Sequence, residues 1–81
     1  MIITVVERNY KLPEAYRNRY IGSPCETWDE ARELVCAHLA EVEDEADFRM
    51  EPTQRGRVYR ATSKETGEIL REYFVSCAEL W

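Results

Sequence analysis

Histidine, glycine, proline and cysteine are all scarce in this chain of 81 residues, and each shortage closes off a class of protein. The one histidine, His38, and the scattered cysteines lack the spacing of a zinc site. Glu43-Asp44-Glu45-Ala46-Asp47 lacks the glycine and the alternating oxygen ligands of a calcium loop. The glycines Gly22, Gly56 and Gly67 stand alone, so there is no glycine-rich loop to cradle a phosphate. Cys25, Cys36 and Cys77 are an odd number without a CxxC pair, and read as free thiols in a reducing compartment. Long apolar runs are missing as well. Met1 to Val6 is far too short to cross a membrane and has neither the basic start nor the cleavage site of a secretion signal. A cytoplasmic protein with no cofactor, no metal, no small-molecule substrate and no membrane partner is the expectation.

What is present is charge. Charged residues make up 33% of the chain and hydrophobic ones 44%, with a net charge of −5. That composition suits a globular domain and opposes a general nucleic-acid coat, which is ordinarily basic. Residues 1–81 have room for a single core, and a chain this short buries only ~60–65% of its unfolded surface.

Ile2 to Glu7 is a β-branched run that reads as a strand. Asn9 to Glu14 reads as a turn, because Pro13 lacks a donor and restrains Leu12. From Tyr16 to Ile21 two readings compete. Tyr16 and Tyr20 lie four apart before Gly22, as in a short helix, yet the alternation also suits a strand returning beside the first. The strand is preferred, because an isolated short helix needs more apolar anchoring than this segment supplies.

Thr27-Trp28-Asp29-Glu30 is a capping box, in which the Thr27 hydroxyl accepts from the Glu30 amide and the Glu30 carboxylate reaches back to Thr27. Ala31, Leu34, Val35, His38, Leu39 and Val42 then form one apolar stripe, flanked by Trp28. Acids at the negative end of the dipole place the helix end between Glu43 and Asp47. Phe48 and Met50 share a face of a short strand that Pro52 ends. Arg57–Thr62 and Ile69–Cys77 are strands joined through Lys64-Glu65-Thr66-Gly67, a type I turn with a glycine bulge. That register pairs Tyr59 with Tyr73, Arg60 with Glu72 and Val58 with Phe74. One face carries Tyr59, Ala61, Ile69, Tyr73, Val75 and Cys77 and faces the helix. The other carries Val58, Leu70 and Phe74, and is a candidate contact patch. The expected fold is α+β: one main helix packed on an antiparallel four- or five-stranded sheet, in the order ββαβββ.

Charge is unevenly placed. Glu26 to Glu51 holds ten acids against Arg32 and Arg49, a net of −8, while the remainder holds nine bases and six acids, a net of +3. Glu30, Glu33, Glu41 and Asp44 fall on the helix flank away from the apolar stripe. Acids there serve solubility, or they dock on a basic groove if several are held on one rigid side. Arg55, Arg57 and Arg71, interleaved with Tyr59 and Tyr73, suggest instead a strand platform for single-stranded nucleic acid. Core packing is the simpler use of those tyrosines.

No reactive constellation stands out. His38 lies on the apolar stripe, Cys36 points elsewhere on the helix, and Cys25 precedes the cap, where a helix N-terminus can stabilise a thiolate. A Cys25–His38 dyad would have to span ~15 Å of helix axis. Trp81 either closes the core or, with Phe74, is offered to a partner, in which case self-association through an edge strand or that patch follows.

A strand or hairpin, the capped helix Thr27–Val42, and a meander with Arg57-Val58-Tyr59-Arg60-Ala61-Thr62 and Glu68-Ile69-Leu70 together resemble several small phage-encoded anti-CRISPR proteins. The resemblance implies a stoichiometric inhibitor that binds a nucleoprotein complex and blocks access to its target. It transfers no catalytic residue. The expectation is a non-enzymatic protein-binding inhibitor that uses Glu30, Glu33, Glu41, Asp44, Phe74 and Trp81 against a basic groove. The alternatives are a nucleic-acid-binding accessory protein using Arg55, Arg57 and Arg71, or a self-associating structural protein of a phage or bacterial assembly.

Overall fold

The computed structural model describes residues 2–77. Five strands, β1 (Ile3–Asn9), β2 (Asn18–Tyr20), β3 (Ala46–Pro52), β4 (Gly56–Ser63) and β5 (Ile69–Cys77), form one antiparallel sheet in the order β2-β1-β5-β4-β3. A single α-helix, α1 (Trp28–Leu39), enters the chain between β2 and β3 and covers one face. The fold is α+β, with the expected element order. β5, the last strand in the chain, lies at the centre with β4 on one side and β1 on the other. β4 arrives by a tight hairpin, and β1 by closure of the N-terminal segment onto the last strand.

The strand preferred for Tyr16–Ile21 is present, preceded by a short 3-10 turn. Glu14–Tyr16 forms a 3-10 turn, and Asn18–Tyr20 pairs with β1. Ile21 continues that pairing through its N–H to the Val5 carbonyl at 3.0 Å. The chain then crosses to the helix layer at Gly22, whose φ of 62° suits glycine. A Cβ there would lie 2.8 Å from Leu34 Cδ2, the end of a side chain that can turn aside, so it is the backbone angle that calls for glycine.

At the start of α1, the Thr27 hydroxyl accepts from the Glu30 N–H at 3.1 Å. The reciprocal half of the capping box is displaced by one residue, because the Glu30 carboxylate accepts from the Glu26 N–H and not from Thr27. The helix also stops earlier than its sequence pattern predicts. α1 ends at Leu39, and a 3-10 turn over Ala40–Val42 follows. Two demands shorten it. Arg71 Nη1 donates to the His38 carbonyl at 3.3 Å, occupying an acceptor of the last turn. Val42 and Ala46 are both buried, which forces a tight reversal in the three residues between them.

The core lies between α1 and the sheet. Ala31, Val35 and Leu39 of α1 and Val42 of the 3-10 turn meet Ile3, Val5, Ala61, Tyr73, Val75 and Cys77. The β4–β5 register pairs Val58 with Phe74, Tyr59 with Tyr73 and Arg60 with Glu72, as the turn chemistry predicts. Gly67 takes a positive φ of 75°. A further bulge departs from prediction. Ala61 pairs with Arg71 and Thr62 with Ile69, so Leu70 is the extra residue. Alternation slips there. Leu70, expected on the contact patch, packs against the core, and Ile69, expected beneath the helix, is exposed.

Candidate functional site

Among the described residues two carboxylates are buried, and they lie on opposite faces of the sheet. Glu7 of β1 follows Ile3 and Val5 onto the helix-covered face and is only 1% exposed. Arg19 Nε donates to its Oε1 at 2.8 Å, and the Tyr73 hydroxyl donates to its Oε2 at 2.7 Å. Burial alone would push this carboxyl up. The Tyr73 and Arg19 hydrogen bonds, with the charges of Arg19 and Arg71, outweigh it and hold the group below its ordinary value. Burial, and then the same contact with Glu7, push the Tyr73 phenol well up.

Glu72 of β5 occupies the opposite face at 5% exposure. Arg60 Nε donates to its Oε2 at 2.8 Å, and the Tyr10 hydroxyl donates to its Oε1. Each buried carboxylate is thus held by one guanidinium and one phenol, which is how a charge survives away from water. In each cluster the guanidinium and the phenol are committed to the carboxylate between them.

The uncovered sheet face bears a cross-strand row of Tyr20, Val6, Phe74 and Val58. Arg8 lies 5.3 Å above the Phe74 ring. Val58 is buried, Phe74 half-buried and Tyr20 74% exposed, so the apolar surface opens toward β2. Phe74, a predicted contact residue, is present on the open face but partly roofed by Arg8.

All ten acids between Glu26 and Glu51 are exposed. Glu30 and Glu33 project from α1, Glu41 from the 3-10 turn, and Asp44 from the turn before β3. The four expected to share one helix flank are therefore divided between a rigid helix and the segment after it. Glu41 is anchored by Arg71 Nη1 at 3.3 Å. Trp81, also predicted to contact a partner, lies outside the described residues.

The predicted basic platform does not come together. Arg71 is turned beneath the helix end, donating to the His38 carbonyl, Glu41 and the Tyr73 hydroxyl. Strand alternation accounts for that direction, because Arg71 precedes the buried Tyr73 by two residues and pairs with the buried Ala61. Arg57 stacks 4.9 Å from the Trp28 ring at the other end of α1. Arg55 is exposed in the β3–β4 turn. Tyr73 is fully buried and Tyr59 packs against the core, so neither offers a free face for a base.

His38 Nδ1 lies 3.6 Å from Glu7 Oε2 and 3.7 Å from Glu41 Oε1, and is buried without a hydrogen-bond partner among the described residues. Cys36 is exposed, while Cys25 is buried, and burial followed by the nearby Glu30 charge pushes the Cys25 thiol up. That is the opposite of an activated nucleophile. Among the described residues no three His, Cys, Asp or Glu side chains are grouped to hold a metal ion, and no helix is long and apolar enough to cross a membrane.

Sequence reasoning missed the Glu7 cluster. The signal was available in Ile3-Thr4-Val5-Val6-Glu7, where a carboxylate continues a buried alternation and so demands partners. No protein-family model, curated protein or solved structure matches the chain.

Proposed function

We propose that the chain is a non-catalytic protein-binding module that presents its acidic helical side to a basic groove on a protein or nucleoprotein complex and acts by occlusion. The observation that carries this reading is the division of labour among carboxylates. The fold buries Glu7 and Glu72, both outside the acidic segment, and leaves every acid from Glu26 to Glu51 in water. Those acids are therefore dispensable to the core. Glu30 and Glu33 stand on a helix seated by Ala31, Val35 and Leu39, and Glu41 is tethered by Arg71. Fixed charges give register to an encounter that loose charges would only steer. The resemblance to small phage-encoded anti-CRISPR proteins makes an RNA-guided effector the partner class to try first.

The test is capture from a bacterial lysate, or on a purified guide-loaded effector, with the native chain and a variant carrying Glu30→Lys, Glu33→Lys, Glu41→Lys and Asp44→Lys. The native chain should retain a partner that heparin or rising salt displaces, and the variant should not. Equal retention by both chains refutes the acidic side as the docking surface. A micromolar shift of single-stranded nucleic acid by the native chain at low salt would refute the protein-binding reading itself.

A further inference from the structure

β3 is an edge of the sheet, and among the described residues no strand pairs with its outer side. The direction of its backbone follows from the bonds at its two ends. Thr53 N–H donates to the Gly56 carbonyl at 3.0 Å, and Lys64 N–H donates to the Glu45 carbonyl at 2.9 Å. In an antiparallel ladder bonded and non-bonded pairs alternate. Between those ends Asp47 faces Thr62, Arg49 faces Arg60 and Glu51 faces Val58. These odd-numbered positions turn their N–H and C=O toward β4, so Ala46, Phe48 and Met50 turn theirs outward.

Edges are ordinarily blunted by short length, proline or unbalanced charge. β2, the other edge, has three residues, whereas β3 has seven. Its only proline, Pro52, stands at the end and leaves the outward groups of Ala46, Phe48 and Met50 intact. Phe48 and Met50 are 47% and 49% exposed on the helix side of the sheet, beyond the reach of α1. On the other side Asp47, Arg49 and Glu51 alternate in sign. With the axis shifted off Arg49, such a row sets acid against base on an antiparallel copy of itself.

We propose that the chain forms a two-fold homodimer by antiparallel pairing of β3 with β3 of a second copy, with the axis at Phe48. This alignment uses every outward N–H and C=O of Ala46, Phe48 and Met50. It sets Asp47 against Arg49 of the second copy, twice by symmetry, and brings the two Phe48 rings together. Glu51 then faces Glu45 of the second copy, but Glu51 is already held by Arg60 at 3.2 Å and Glu45 by Lys11 at 3.5 Å. Neighbouring registers are worse. An axis at Arg49 opposes the two arginines and sets Asp47 on Glu51. An axis at Met50 joins Arg49 to Glu51 but places Pro52, which has no N–H, in a bonded position.

Sedimentation velocity over a wide concentration range tests this with three charge variants, Asp47→Arg, Arg49→Asp and the double swap. The native chain should pass from monomer to dimer as concentration rises. Each single swap sets like charges against each other at two symmetric points, and should weaken dimerisation about tenfold. The double swap should restore it. Met50→Pro, which removes an outward donor and spares the β4 ladder, should give a folded monomer by circular dichroism. A native chain monomeric at every concentration, single swaps that associate like the native chain, or a double swap as weak as the singles would each overturn the proposal. An axis at Met50 predicts no effect of Asp47→Arg, so the register is tested along with the edge.

Discussion

Tyr73→Phe isolates the hydrogen bond that keeps Glu7 charged beneath the helix. The substitution removes one oxygen from a fully buried ring and leaves its packing in place. It also removes the donor 2.7 Å from Glu7 Oε2 and the acceptor 3.4 Å from Arg71 Nη1. A hydrogen bond to a charged group contributes about 1.5–3 kcal/mol, and among the described residues the buried oxygen left behind has no other donor at bonding distance, His38 Nδ1 lying 3.6 Å away. A loss near 2 kcal/mol corresponds to a fall in Tm of roughly 10 °C for a domain of this length. The sign of the pH dependence is set by Glu7, whose folded value lies below the ordinary 4.5. Its contribution is present above about pH 4.5 and is lost as pH falls through the depressed folded value. In the variant the depression is smaller, so less remains to lose on acidification. Urea melts from pH 7 to the acid limit of the folded state should show the native and variant stabilities converging as pH falls. An equal gap at every pH would mean that the cost is packing and not the carboxylate. A neutral-pH gap below about 0.5 kcal/mol would mean that the bond adds nothing, and would refute the reasoning.

Further outcomes are open to simple assays. Thr27→Ala removes the Oγ1 acceptor of the helix cap and should cost about 1 kcal/mol in a denaturant melt, since Glu30 N–H loses its partner. Gly56→Ala should destabilise more than Gly67→Ala although only Gly67 has positive φ. A Cβ at Gly56 would lie 2.0 Å from the Val75 carbonyl oxygen, whereas Gly67 has nothing within 4 Å and incurs only the left-handed penalty of about 1–2 kcal/mol. A thiol reagent should modify Cys36 at once in the native protein and reach Cys25 and Cys77 only on unfolding, because the first is exposed and the others buried. Simultaneous labelling of all three would contradict the placement of Cys25 and Cys77.

Local chemistry carried a good deal of this fold. Tyr59 meets Tyr73 as expected from a glycine at a left-handed turn position, but beside the turn Thr62 pairs with Ile69, and the extra residue Leu70 brings the strands into that register. The helix start followed from a side-chain acceptor at Thr27, and the apolar stripe from Ala31 to Val42 from period alone. Each rests on residues close in sequence, whose preferences hold whatever the rest of the chain does. Tyr16–Ile21 was less legible because its few residues obtain order from pairing with β1 and not from their own periodicity.

The candidate sites were legible only in part. Exposure of Glu30, Glu33, Glu41 and Asp44 agrees with their flank position, but their division between helix and turn depends on where Val42 and Ala46 enter the core. The arginines Arg57 and Arg71 look alike in an alternating strand. Which of them meets Trp28 and which meets Glu41 is set by the opposite ends of a helix distant in sequence.

By itself, then, the order of residues determined the element types, the α+β class, the β4–β5 pairing and the segregation of acid into one third of the chain. Tertiary structure alone decided that β1 closes on β5, that Glu7 and Glu72 are buried on opposite faces, and that β3 is left as an open edge. The physical reason is reach. Caps, turns and periodicity act over a few residues, whereas a buried carboxylate and a free strand edge are defined by neighbours that only the folded chain brings within hydrogen-bonding distance.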